Sequence, residues 1–103
     1  MDDCVDALLR AGQDPAAAGR VFNLGGRERI SLADLARLMV EVNGAGRVEV
    51  REFPAERKKI DIGDYYADWT LIRDTLGWRP RTALPVALRR TLAYYRKELK
   101  HYL

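Results

Sequence analysis

The sequence is poor in residues that build self-contained chemistry. Cys4 is its one cysteine and His101 its one histidine. An internal disulfide is excluded, and a Cys/His metal cluster has too few ligands. No apolar run approaches the roughly 18 residues that a membrane-spanning helix needs. The opening Met1-Asp2-Asp3 is acidic, so it does not read as a secretory signal. A reduced, cytoplasmic setting without membrane contact is the expectation. A phosphate-binding glycine loop is also lacking. Gly25-Gly26 follows a strand-like run, but Arg27-Glu28-Arg29 comes next, with no third glycine and no Lys-Ser or Lys-Thr.

What is present is ordinary for a folded domain. Hydrophobic residues make up 48% and charged residues 32% of 103 residues. That composition argues against wholesale disorder, and the length allows one domain. A chain this short buries a modest fraction of its surface, so its stability margin is thin. The net charge is +3. The charges are interspersed along the chain, so the basic balance reads as a solvated surface and no nucleic-acid partner is expected.

The periodicities give an element order. Asp2 to Ala11 predicts a helix with an apolar stripe of Cys4, Val5, Leu8 and Leu9, stopped by Gly12. On that stripe Cys4 is expected to be a small buried hydrophobe. Arg20 to Leu24 predicts a strand ended by Gly25-Gly26. Ser31 caps a helix running to about Asn43, with Leu32, Leu35, Ala36, Met39 and Val42 on one face and Gly44 beyond. Val48 to Phe53 alternates strictly, which predicts a half-buried strand closed by Pro54. Residues 55–59 read as a charged loop and Ile60-Asp61-Ile62 as a short extended piece. Asp68 or Thr70 caps a short helix through Leu76, with Gly77 at its end. Pro85 opens a final helix whose stripe is Leu84, Leu88, Leu92, Tyr95 and Leu99. The fold class expected is a small mixed α/β unit.

No complete catalytic constellation is visible. His101 lies near the chain end, where fraying disfavours precise placement. Nothing in the spacing of acidic pairs such as Asp61 and Asp64 distinguishes a glycosidase pair or a metal site from a solvated loop. The segment Arg57-Lys58-Lys59-Ile60-Asp61-Ile62-Gly63-Asp64-Tyr65-Tyr66-Ala67-Asp68 stands out. Its consecutive cations suit phosphate, its carboxylates accept from sugar hydroxyls, and its rings offer stacking faces. The same residues also read as a charged surface loop followed by two core tyrosines.

Several stretches, in order, resemble the extended short-chain dehydrogenases that modify nucleotide sugars, the NAD-dependent epimerase/dehydratase family. Val21-Phe22-Asn23-Leu24-Gly25-Gly26 followed by Ser31-Leu32-Ala33-Asp34-Leu35-Ala36 is similar to one element of that family. Residues 57–68 are similar to its Arg-x-x-Asp…Tyr-x-Ala-Asp segment. Leu76-Gly77-Trp78-Arg79-Pro80 resembles its Leu-Gly-Trp-x-Pro signature. Residues 88–95 resemble its closing helix, and Asp2 to Ala7 the helix that precedes the first strand.

The resemblance implies the substrate-binding lobe of a UDP-glucose 4-epimerase-like or dTDP-glucose 4,6-dehydratase-like enzyme. It implies a nucleotide-diphosphate sugar as ligand. The family's NAD-binding Rossmann domain and its Tyr-x-x-x-Lys pair are not in these residues. Tyr94 and Tyr95 are followed four positions on by Glu98 and Leu99. A C-terminal fragment, without bound NAD and without catalytic residues of its own, is therefore expected. By position, Arg57 or Lys58 contacts the diphosphate. Lys58 takes the place three residues before Asp61. Asp61 and Tyr65 match positions that hold the nucleotide sugar, while Asp68 and Trp78 serve capping and packing. Asn23 reads as a polar contact lining the site or as a strand-end residue bonding the backbone near the Gly-Gly turn, and Trp78 with Pro80 as a plug between the last two helices. The alternative expectation is a stand-alone, non-catalytic module of that descent. Unpartnered apolar faces on its first and last helices would favour a homodimer.

Overall fold

A computed structural model describes every residue from Met1 to Leu103. Its helices are α1 (Asp2–Gln13), α2 (Leu32–Asn43), α3 (Ala55–Lys58), α4 (Thr70–Leu76) and α5 (Leu84–Glu98), with 3-10 turns at Pro15–Ala17 and Leu99–His101. No strand forms. The chain divides into two compact units. The first joins Met1–Arg29 to Tyr66–Ala87, and the second joins Ile30–Tyr65 to Leu88–Leu103.

In the first unit, α1 carries Asp2 and Asp3 in its first turn and Arg10 in its last, each suiting the helix dipole. Asp6 and Arg10 pair at 3.1 Å one turn apart. The helix runs through Gly12 rather than stopping there. It ends because Pro15 pushes Asp14 out of the helical region, to φ −93° and ψ 118°. Asp14 then accepts from the Ala16 amide at 2.9 Å and caps the 3-10 turn.

The core of this unit is Ala7, Ile72, Leu76 and Trp78, with Ala11, Ala17, Phe22, Leu24 and Trp69 packed around it. Trp78 is 2% exposed. Its indole N–H donates to the Asp3 carbonyl at 2.9 Å, and its ring meets Trp69 edge-on, 6.3 Å between centroids. Trp78 therefore seats against α1 and is not a plug between the last two helices. That seat requires close approach to the α1 backbone, which the small Ala7 permits. The expected stripe of α1 faces solvent instead: Cys4, Val5, Leu8 and Leu9 are all exposed.

Two further bonds tie α1 to this core. Arg10 donates to the Leu76 carbonyl at 3.2 Å, satisfying a free carbonyl at the α4 C-terminus. Gly77 ends α4 at φ 66°, as its position predicts. The Asp3 carboxylate accepts from the Thr82 amide at 3.0 Å. That amide holds the Asp3 carboxyl below the ordinary aspartate value. A lowered folded pKa stabilises the fold above the unfolded value and is lost as pH falls through the folded one. Asp3→Ala should lower the unfolding free energy by about 1 kcal/mol at pH 7. In urea titrations the difference from the parent should shrink below about pH 4.

The second unit has no buried side chain. Here α2 begins as its sequence predicts. Ser31 Oγ accepts from the Asp34 amide at 3.1 Å and donates to the Asp34 carboxylate at 2.8 Å. Gly44 ends it at φ 74°. Arg96 of α5 donates to the carbonyl and side-chain oxygens of Asn43 at 2.9 and 2.7 Å. A cation thus sits on the α2 C-terminus.

The mixed α/β reading is corrected in its strands. In residues 20–24, expected as a strand, Phe22 and Leu24 are half-buried and Val21 and Asn23 exposed, but they join no ladder. Residues 48–53 are exposed throughout and also unpaired. Glu49 and Arg51 pair at 2.9 Å, two residues apart. A strand is a property of a ladder, so alternation without a neighbour leaves the backbone irregular. Asn23 makes no hydrogen bond to the Gly25-Gly26 turn.

Candidate functional site

Pro54 precedes α3, so the residues read as a charged loop begin with one helical turn. The amides of Arg57 and Lys58 both donate to the Pro54 carbonyl at 3.0 Å. The Ile60 amide donates to the Arg57 carbonyl at 3.1 Å and closes the turn. The signal was present in Pro54 followed by Ala55, Glu56, Arg57 and Lys58, a proline at a helix entry ahead of good helix formers. Arg57 and Lys58 are consecutive, so they lie about 100° apart around the axis and fan outward.

Both cations, and Lys59, are exposed. The ion pairs of the chain are made elsewhere, so no carboxylate occupies these groups. Asp61 is exposed and makes no ion pair. Gly63 turns the chain at φ 70°, a conformation that glycine tolerates best. Tyr65 follows, 73% exposed. Arg57, Lys58, Asp61 and Tyr65 therefore share one short surface segment, with no hydrogen bond joining them. The two tyrosines are not core residues: Tyr66 is 59% exposed. A cavity of about 350 Å³ lies elsewhere, lined by Arg10, Gln13, Asp14, Pro15 and Leu76.

This arrangement presents free cations, a carboxylate and a phenol ring to solvent. Such a set suits an anionic, hydroxyl-rich ligand. It contains no nucleophile paired with a base. His101 contacts only Glu98, at 3.5 Å on an exposed turn. Asp68 accepts from the Thr70 amide at 2.8 Å and starts α4, a capping duty. The Thr70 hydroxyl and amide hold the Asp68 carboxyl below its ordinary value.

A Cβ on Gly25 would lie 3.0 Å from Ala67 Cβ and 3.1 Å from the Ala67 carbonyl oxygen. The bare Cα of Gly25 thus admits Ala67. After Gly26 the chain runs through Arg27, Glu28 and Arg29, and no helix N-terminus follows at once.

One cluster was not anticipated. Tyr94, Tyr95 and Tyr102 meet edge-to-face, with Tyr95 and Tyr102 centroids 5.2 Å apart and the Tyr94 and Tyr102 hydroxyls 3.1 Å apart. Tyr102 lies past the apolar period of α5, and the Leu99–His101 turn folds it back. Its bond to Tyr94 raises the Tyr102 pKa.

Comparison with known proteins gives one consistent class, enzymes acting on nucleotide sugars. The chain is 34% identical over 98 residues to the UDP-glucose 4-epimerase of Mycolicibacterium smegmatis, covering 95% of this chain and 30% of that enzyme. It is 39% identical over 97 residues to a dTDP-glucose 4,6-dehydratase of Streptomyces griseus, covering 94% of this chain and 29% of that enzyme. It is 32% identical over 97 residues to a dTDP-6-deoxy-L-talose 4-dehydrogenase (NAD(P)(+)) of Kitasatospora kifunensis, covering 86% of this chain and 28% of that enzyme. The chain thus spans under a third of the length of the curated relatives it matches. No protein-family model and no solved structure matches it. These likenesses support kinship with the NAD-dependent epimerase/dehydratase family.

Proposed function

We propose that this chain is the C-terminal, nucleotide-sugar-binding part of an NAD-dependent nucleotide-sugar epimerase or dehydratase. The observation that carries the reading is the similarity over nearly the whole chain to enzymes of which it spans under a third. The exposed segment 57–65 supplies groups of the right chemistry. Lys58, with Arg57 beside it, meets the diphosphate. Asp61 accepts from ligand hydroxyls, and Tyr65 offers a ring. Remote binding of this kind orients the reacting sugar carbon. Proton and hydride transfer belong to residues and a cofactor outside this chain.

The surface supports the same reading. Leu8, Leu32, Val50, Ile60 and Ile62 are 66%, 85%, 84%, 80% and 78% exposed. On the reading proposed, they are surface that the rest of a longer enzyme covers.

The purified chain should show amide shifts centred on residues 57–65 when titrated with UDP-glucose or dTDP-glucose. The affinity should be weak, with Kd on the order of 1 mM or about −4 kcal/mol, because most of the site is elsewhere. With NAD added it should turn over neither sugar. Shifts confined to other residues would remove the assignment of the segment. Turnover would overturn the division of labour.

A further inference from the structure

Residues 30–65 form one excursion from the first unit. The chain leaves that unit after Arg29 and rejoins it at Tyr66. The proposed ligand residues occupy the returning end of the excursion, and Tyr65 is its last residue. What holds that end lies on the other side of the Tyr65–Tyr66 peptide.

Two contacts meet there. The Arg29 guanidinium carbon lies 3.9 Å from the centroid of the Tyr66 ring. No carboxylate competes for Arg29. One residue further, Gly25 closes on Ala67 so tightly that a Cβ would stand 3.0 Å away. Gly25 also abuts Trp69, which packs on the buried core. The departing strand of chain is thus fastened to the returning one at its neck, first by backbone contact and then by a stacked cation.

We infer that Arg29 is a positioning residue for the ligand segment. By stacking on Tyr66 it fixes the peptide that carries Tyr65 and shortens the free run from Asp61 onward. The inference rests on the nucleotide-sugar reading of residues 57–65. Its physical basis is preorganisation. An exposed, irregular segment loses freedom when it binds, and a pinned end leaves less to lose. Arg29 itself does not touch the ligand.

The test compares Arg29→Ala, Arg29→Lys, Tyr66→Leu and the Arg29→Ala/Tyr66→Leu double variant. Two readouts are taken on the full chain. The first is backbone ¹⁵N order parameters. Arg29→Ala should lower them at Tyr65 and Tyr66 and leave Ile72 and Trp78 as they are. Unchanged order at Tyr65 overturns the inference whether or not any ligand binds.

The second readout is UDP-glucose affinity. Arg29→Ala and Tyr66→Leu should each weaken it roughly 5-fold, as loss of loop preorganisation does. Arg29→Lys, which keeps a cation over the ring, should restore most of the loss. The double variant should be no worse than either single one, since the two act as one unit. A further loss on removing Arg29 in the Tyr66→Leu background would mean direct contact with the ligand, and would also overturn the inference. If the parent chain binds neither UDP-glucose nor dTDP-glucose while Arg29→Ala still loosens Tyr65, the nucleotide-sugar reading fails and the positioning of the segment by Arg29 stands.

Discussion

Trp78→Ala should abolish cooperative unfolding of this chain. The side chain is 2% exposed, and truncating a buried Trp costs about 3–5 kcal/mol. Domains as a class hold only about 5–15 kcal/mol. This one sits at the low end, because its buried apolar side chains are just Ala7, Ile72, Leu76, Trp78 and Pro80. The loss has two parts. The cavity would open between Ala7, Ile72 and Leu76, and the edge contact with Trp69 would go. The Asp3 carbonyl would also lose the indole donor at 2.9 Å. Trp78→Phe separates the parts. It keeps a ring and forfeits the hydrogen bond, so it should unfold cooperatively with about 1–3 kcal/mol lost. Urea denaturation followed by circular dichroism checks both. A Trp78→Ala midpoint close to the parent's would mean that this core does not hold the first unit.

Arg57→Glu with Lys58→Glu should cost at least tenfold in affinity for UDP-glucose or dTDP-glucose. Hydrogen bonds to charged groups contribute about 1.5–3 kcal/mol, so losing even one is about tenfold or more. The new carboxylates would add repulsion toward the diphosphate. The fold should stay intact, within about 0.5 kcal/mol, because both side chains are solvated and pair with nothing. Raising salt should weaken the parent's binding and leave the double variant's nearly level. Equal affinities for parent and variant, both folded, would remove the diphosphate role from α3.

Local chemistry was legible in the sequence. Ser31 with Asp34, and the glycines at positions 44 and 77, announce helix ends because a cap is made by residues a few positions apart. The stripe of α1 misled for the opposite reason. Its leucines satisfy the helical period, but a partner chooses which face is buried. Trp78, distant in sequence, selected the face of Ala7. The two strand-like runs form no sheet, and residues 48–53 bury neither face, since a ladder needs a neighbour that no local pattern supplies. For the candidate site, residue types and order were legible, and Arg57, Lys58, Asp61 and Tyr65 are exposed. The Arg29–Tyr66 contact was not legible, because residues so far apart in sequence share no periodicity.

The measurement that tests the central claim most directly is the genomic reading frame upstream of the Met1 codon. An open frame is expected, in phase, encoding a strand, a glycine-rich turn, a helix and then a Tyr-x-x-x-Lys pair. That result makes these residues the substrate-binding part of an oxidoreductase-type sugar enzyme. A stop codon and a ribosome-binding site just ahead of Met1 would contradict it. The chain would then be an autonomous binding module of that descent.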